Sequence, residues 1–362
     1  MKIADFIFRT LSYVLLVLCV LFTSDGALAS PPEAPNPPVG AALKGLQFFE
    51  GWTNPRKLSA PMNTLGWEDS AIISYDGRTI YFAYTPLDYY AFTQGRHEEV
   101  GPTGPPERPG QHSFYFDIYE ARIQNGTWVI ENSSANSGDI HEAAIGINGD
   151  ESVMVFVRFV TDGDLFMTRR QNDGPWLLPA QPLSSINTPC VEDNPHLSAD
   201  GLTLYFDSNR GDLNGTSCLD ETDALQRSIY VSNYDGNAWS TPSKIQGIPN
   251  TGLYAWQIFE TPDGEYIYWS ALNNNGESCL FRARKLSEGS YGEKTLIARS
   301  TTILPTPGDV MAVGEMSITG DGRFLYFVYV QYNSPTNLEL GLAVAYKRKP
   351  VIVPQLYNLM LD

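Results

Sequence analysis

Histidine and cysteine are scarce, four of each in 362 residues. No Cys-x-x-Cys, His-x-His or His-x-x-x-His spacing occurs, so the sequence carries no zinc-site signature. There is no Gly-x-Ser-x-Gly elbow, no P-loop and no catalytic-cysteine context, which removes the chemistries those motifs serve. Bases are also few: 24 Lys and Arg stand against 41 Asp and Glu, a formal net charge of −17. Such an acidic exterior repels phosphate backbones and argues against nucleic-acid binding, while favouring solubility and the attraction of cations. A single long apolar run, Leu11 to Phe22, is present, and it is too short to read as a bilayer span.

That run has the layout of a secretory signal. Lys2 and Arg9 precede or open it, and Ala27-Leu28-Ala29 places small residues where a signal peptidase reads. Residues 1–29 are therefore expected to be a signal peptide, cleaved before Ser30, with the mature chain periplasmic or secreted and without a membrane span. An uncleaved anchor is the alternative. Cys19 sits inside the apolar run and not at a lipoprotein position. The mature chain opens with SPPEAPNPP, an extended Pro-rich spacer expected over residues 30–45. Export places Cys190, Cys218 and Cys279 in an oxidising compartment. Three pairings remain open; Cys190–Cys218 is preferred because both fall near the same face of one repeat, leaving Cys279 free or as the alternate partner.

What the chain has in abundance is repetition. A unit of roughly fifty to seventy residues recurs: an acidic position, a short apolar strand, an Asp-Gly or Asn-Gly turn, and an aromatic strand. The clearest copy is INTPCVEDNPHLSADGLTLYFDSNR, Ile186 to Arg210; the others turn at Asp76-Gly77, Asn148-Gly149, Asp263-Gly264 and Asp321-Gly322. Each unit reads as four strands, a to d, with the turn joining a to b as a tight hairpin. The last unit has no strand d after Tyr346, whereas GWTNPRKLSAPMNT, Gly51 to Thr64, is a spare one ending in the Asn-Thr pair seen again at Asn187-Thr188 and Asn250-Thr251. A strand from Leu46–Ala60 completing the last unit removes the free edges of a ring. The expected fold is all-β: a five-bladed β-propeller over residues 46–347, closed by an N-terminal strand, with a tail at residues 348–362.

The segment INTPCVEDNPHLSADGLTLYFDSNR followed by SIYVSNYDGNAWSTP resembles the TolB-type, WD40-like β-propeller repeat of exported bacterial proteins. The resemblance runs over most of residues 50–347 and implies the propeller fold. It spans periplasmic scaffolds, peptidoglycan-associated proteins and carbohydrate-active enzymes, so it does not choose an activity.

Strand a lines a propeller's channel, so the acid at its start is expected at one channel mouth. Glu68, Glu142, Glu192, Gln257 and Glu315 read as five equivalents, with Asp69 and Asp193 beside two of them. Carboxylates ringed about an axis either hold protons or recruit a hard cation such as calcium, or simply bond backbone amides and neighbouring Arg. On the same face, two long loops and nearby aromatics offer Tyr89, Tyr90, His97, His112, Arg210, Tyr254 and Trp256 as a binding platform. His196, on an apolar strand, reads as a core residue. Because the acids follow the repeat, they look alike, whereas catalysis needs carboxylates in different environments. The expected function is therefore a non-catalytic exported propeller, monomeric, binding a glycan or an envelope protein through its loop-bearing face. A glycoside hydrolase or lyase using the channel acids is the alternative.

Overall fold

The computed structural model describes residues 32–103, 115–138, 140–160, 163–212, 214–219, 227–250, 255–287, 289–300 and 304–348. Residues 33–362 form one compact unit; of the separate unit Met1–Pro32, only Pro32 is described. Among the described residues no helix is long and apolar enough to cross a membrane.

Three short strands open the described chain: β1 (Val39–Ala42), β2 (Leu46–Phe48) and β3 (Trp52–Leu58). Antiparallel meanders follow. The first is β4 (Trp67–Ile73), β5 (Thr79–Thr85), β6 (Asp117–Gln124) and β7 (Thr127–Asn132). The second is β8 (Glu142–Ile147), β9 (Val153–Arg158), β10 (Asp164–Arg169) and β11 (Gln181–Pro182). The third is β12 (Glu192–Leu197), β13 (Thr203–Ser208), β14 (Ser228–Asn233) and β15 (Ser243–Lys244). The fourth is β16 (Trp256–Glu260), β17 (Tyr266–Leu272) and β18 (Ser278–Ser287), with β19 (Ser290–Tyr291) folded back on β18, then β20 (Thr295–Ser300). The last is β21 (Asp309–Ile318), β22 (Phe324–Ser334) and β23 (Asn337–Lys347). The loop after β5 carries one short helix, α1 (Tyr89–Thr93), capped by the Asp88 carboxylate. Successive meanders of this kind make an all-β, propeller-type fold.

The first two strands of each meander are joined by the same device. In four of them an Asp accepts a bond from the hydroxyl two residues before it: Ser74 to Asp76, Ser198 to Asp200, Thr261 to Asp263 and Thr319 to Asp321. The following glycine is left-handed, with φ between 69° and 74°, a conformation that needs glycine's missing Cβ. In the second meander the turn lies two residues later than its Asn148-Gly149 pair suggests. Asp150 takes the Asp role, accepting from Ser152 N at 3.1 Å, and Glu151 occupies the left-handed position at φ 57°.

The Asn-Thr pairs of the sequence have a clear task. Each Asn side chain pairs with the backbone of strand c like a one-residue strand. Asn187 accepts from Leu165 N at 3.0 Å and donates to Leu165 O at 3.0 Å. Asn63, Asn136 and Asn250 do the same at Leu342, Ile118 and Ile229. These bonds tie each outer strand to its own sheet just before the chain turns inward.

At the ends of the chain, β3 pairs antiparallel with β23, Lys57 opposite Ala343 and Trp52 opposite Lys347. β1 lies outside β3. β2 behaves differently from the rest of Leu46–Ala60: it adds to β20 of the fourth sheet, Gln47 opposite Arg299. The Pro-rich stretch is packed over its described part. Ala34 is 3% exposed and its amide donates to Asp321, and the Pro38 carbonyl accepts from Trp128 Nε1 at 3.0 Å. Between sheets the core is aromatic, with Trp269, Tyr81, Tyr119, Tyr205 and Tyr326 among the fully buried side chains. A disulfide joins Cys190, ahead of β12, to Cys218 in the loop after β13, with Cα atoms 5.3 Å apart. Cys279 is free and buried, and burial pushes its thiol up to about 11.

A chain starting at residue 60 would expose the edges of β20 and β23. Loss of the buried Trp52 and Leu58 alone should remove about 3 kcal/mol. We expect a lower melting midpoint and concentration-dependent aggregation in light scattering; an unchanged midpoint would disprove the coupling.

Candidate functional site

The inner strands share one irregularity. In β4, β8, β12, β16 and β21 a bulge sets two residues against one on the neighbouring strand. Its first residue is left-handed in every case: Ser70, Ala144, Asn194, Gln257 and Glu315, with φ from 44° to 56°. All five line a single narrow cavity of about 30 Å³.

This register corrects the expected acidic ring. Gln257 and Glu315 are equivalents of Ser70, Ala144 and Asn194, two positions beyond Glu68, Glu142 and Glu192. The residues matching those three glutamates in β21 and just before β16 are Val313 and Ala255, which are apolar. Nor do the three glutamates form a mouth ring, since each is fully buried at 0% exposure. Each clasps the chain that arrives from the preceding sheet. Glu68 accepts from Thr64 N at 3.1 Å and Oγ1 at 2.6 Å. Glu142 accepts from Ser137 N and Oγ and from Arg158 at 2.7 Å. Glu192 accepts from Thr188 N and Oγ1 and from Arg210 at 2.8 Å. Burial pushes the Glu192 carboxyl up, against the opposing pull of the Thr188 bonds and Arg210.

Arg210, expected as a binding residue, is thus a buried structural one. It also donates to the Ile186 carbonyl and lies over the Phe206 and Tyr230 rings. His97 is exposed and stacks on Phe92; Tyr90, within α1, is half-buried and does not line the cleft described below. His112 and Tyr254 lie outside the described residues. His196 is buried with neither ring nitrogen bonded, and burial lowers it to about 3, so it stays neutral in the core against Phe259.

What the structure does bring together is a cleft of about 240 Å³ lined by β4, β16, β21 and β22 and by Tyr89 of α1, sharing Gln257 and Glu315 with the narrow cavity. Trp67, Tyr89 and Trp256 wall it; Asp69, Gln257 and Glu315 supply polar groups. Trp67 is the hub. Tyr89, Phe92 and Phe116 meet it edge-on at 4.9, 5.2 and 4.9 Å, and its Nε1 donates to Asp69 at 2.9 Å. The strand thereby holds the long loop through one indole. Glu315 accepts from the Ser70 amide and from Gln257 Nε2 at 2.5 Å, while its own amide donates to Gln257 Oε1 at 2.8 Å. Burial first, then the charge of Asp69 and a hydrogen bond with it, push the Glu315 carboxyl well above the ordinary carboxylate range. Tyr89 is also pushed up, by burial and then by Asp69 and Glu315. Two carboxyls in contact share one proton. Asp193, the repeat equivalent of Asp69, instead meets Arg227 at 2.6 Å, which also meets the buried Asp207 at 3.1 Å.

The acids are therefore not alike, as their common place in the repeat suggested. Among the described residues no group of three or more His, Cys, Asp or Glu side chains is arranged to hold a metal. The pairing of Asp69 with Glu315 was not visible in the sequence; the one available signal was an acid beside the bulge in two different units.

The sequence matches no described protein family and no curated protein. Solved structures with related folds include TolB from Acinetobacter baumannii, at 13% identity and TM-score 0.40, over 80% of this chain and 57% of that one. Others are the α-L-arabinofuranosidase of Podospora anserina in complex with cellotriose, at 10% identity and TM-score 0.46 over 89% and 99%, and a Dyadobacter fermentans protein of unknown function, at 11% and 0.45 over 84% and 100%.

Removing Arg210 leaves the Glu192 charge buried without its base, a loss worth roughly 3–5 kcal/mol. Arg210→Met should lower the denaturant midpoint accordingly; a change within experimental scatter would disprove the clasp. Glu315 binds its proton more tightly folded than unfolded, so its contribution to stability falls as pH rises from the ordinary carboxylate value through its raised folded one. The melting midpoint of Glu315→Gln should decline less than that of the parent protein between pH 5 and 8, a range set on the order of the reference carboxylate pKa and above. Parallel curves would refute the shift.

Proposed function

We propose that this chain is an exported, five-bladed β-propeller that binds a glycan in the cleft at its channel mouth. The observation that carries the reading is the cleft itself: three aromatic walls over a floor of hydrogen-bonding carboxyl and amide groups. Aromatic faces match the apolar faces of sugar rings, and the polar floor matches their hydroxyls. Its volume lies below the roughly 300–1,000 Å³ usual for drug-sized ligands, which suits one ring of a chain whose remainder lies outside. Five left-handed bulges around one cavity support the count of blades, and the charged, apolar and small-residue order of residues 1–29 supports export.

One feature favours hydrolysis as a second reading: the Glu315 carboxyl, pushed well above the ordinary carboxylate range, is unlike its neighbours. Against it, glycosidases hold their two carboxyls roughly 5–5.5 or 6.5–9.5 Å apart, whereas Asp69 and Glu315 are drawn together on the single Ser70 amide, which donates to both. Binding without turnover is the better fit.

The chain from Ser30 should bind at least one oligosaccharide class in titration calorimetry. Trp256→Ala should weaken that binding about tenfold or more, the 1.4 kcal/mol of one aromatic contact, with the melting midpoint little changed. Absence of binding across neutral, acidic and amino oligosaccharides would overturn the reading. Steady release of reducing ends, lost in Glu315→Gln, would replace it with the hydrolase.

A further inference from the structure

Five buried acids elsewhere in these sheets are matched by a base. Glu142 has Arg158 at 2.7 Å, Glu192 has Arg210 at 2.8 Å, Asp207 has Arg227 at 3.1 Å, and Glu120 has Arg122 at 2.8 Å. Glu260 has Lys285. The two cleft acids differ from these five. Among the described residues no Lys, Arg or His lines it, and neither Asp69 nor Glu315 makes an ion pair. The other charged groups around the site are already engaged: Asp193 and Asp207 with Arg227, and Glu339 with Lys57 behind Tyr329. Among the described residues Tyr89 and Tyr329 also line the cleft, and the buried Glu68, held by Thr64, lies near enough to Tyr329 to help raise it.

A second feature points the same way. Gly314 lines the cleft, and a Cβ there would come within 2.8 Å of Gln257 Oε1 and 3.6 Å of Ser270 Oγ. Ser270 is 0% exposed and its hydroxyl has no hydrogen-bond partner. Residue 314 is thus held to glycine by the close approach of Gln257, and a buried hydroxyl without a partner lies beneath this part of the cleft floor. A pair of carboxyls without a base and three aromatic walls make a box for a cation. Aromatic faces attract cations through the ring quadrupole, and an overall charge of −17 raises their local concentration. A bare metal ion is a poor occupant, because calcium takes about 6–8 oxygen ligands, and the Gln257 oxygen is already bonded to the Glu315 amide.

We propose that the glycan recognised here carries a free amine, and that its ammonium sits between Asp69 and Glu315 beneath Trp67, Tyr89 and Trp256. This rests on the glycan reading above and narrows it to amino sugars. The ammonium supplies the positive charge that a base supplies at the five buried acids named above. In the empty cleft a proton held at Glu315 does this instead. Binding then expels that proton to solvent as the ammonium enters. Affinity therefore rises with pH as the carboxyl pair loses its proton more readily, until the sugar's own amine is deprotonated.

The test is calorimetric titration of the chain from Ser30 with three β-1,4-linked tetramers: glucosamine, N-acetylglucosamine and glucose. The glucosamine tetramer should bind at least tenfold tighter than the other two. Its apparent enthalpy should change with the ionisation enthalpy of the buffer in the sense of proton release. Asp69→Asn, checked for an unchanged melting midpoint, should abolish the preference. Equal affinities for all three tetramers would overturn the amine while leaving the glycan reading intact. No binding of any tetramer would overturn both. Preference for the amine without proton release would overturn the placement between the two carboxyls.

Discussion

Each inner strand holds a non-glycine residue in the left-handed region, at a conformational cost of about 1–2 kcal/mol. Five such residues converge on one cavity. The extra residue at the bulge re-aims the strand, so the side chain before it and the one at it face the axis in a different order than simple alternation gives. Asp69 reaches the mouth because it precedes Ser70, and Glu315 because it is itself the bulge residue. The bulge thus brings the two carboxyls together at the cleft floor.

Around that axis the protein treats its acids in two ways. Glu68, Glu142 and Glu192 are spent on assembly. Each takes an amide and a hydroxyl from the incoming chain, and in two of them an Arg completes the shell. Burial of a carboxylate at this depth is tolerable only with such partners. Asp69 and Glu315 are partnered by one another, by an indole and by amides. A pair in that condition, under aromatic walls, is the feature on which the proposed recognition site rests.

The repeat was legible because its local chemistry is strong. Asp-Gly after a Ser or Thr makes a left-handed turn whatever surrounds it, and the aromatic runs that follow it, TIYFAY, TLYFDS and YIYWSA, are the strands β5, β13 and β17. The Asn-Thr pairs marked where strands end, although their bonding to strand c was not readable. The second unit misled because Asn148-Gly149 mimics the turn that Asp150-Glu151 makes. Glu315 was aligned with Glu192 because both are acids ahead of an apolar strand; a bulge adds a residue without leaving a compositional mark.

Local interactions are written in neighbouring residues, and so the sequence by itself determined the all-β repeat, its turns, the spare N-terminal strand and the acidity of the surface. Which acids are buried with a base, and which face each other across the mouth, depends on residues 245 positions apart, such as Ser70 and Glu315. Their meeting is set by how the sheets wind around the axis and by a one-residue offset in each inner strand. Only the tertiary structure decides that, because the energy of a buried carboxyl comes from whatever stands within a few ångströms of it, not from its place in the repeat.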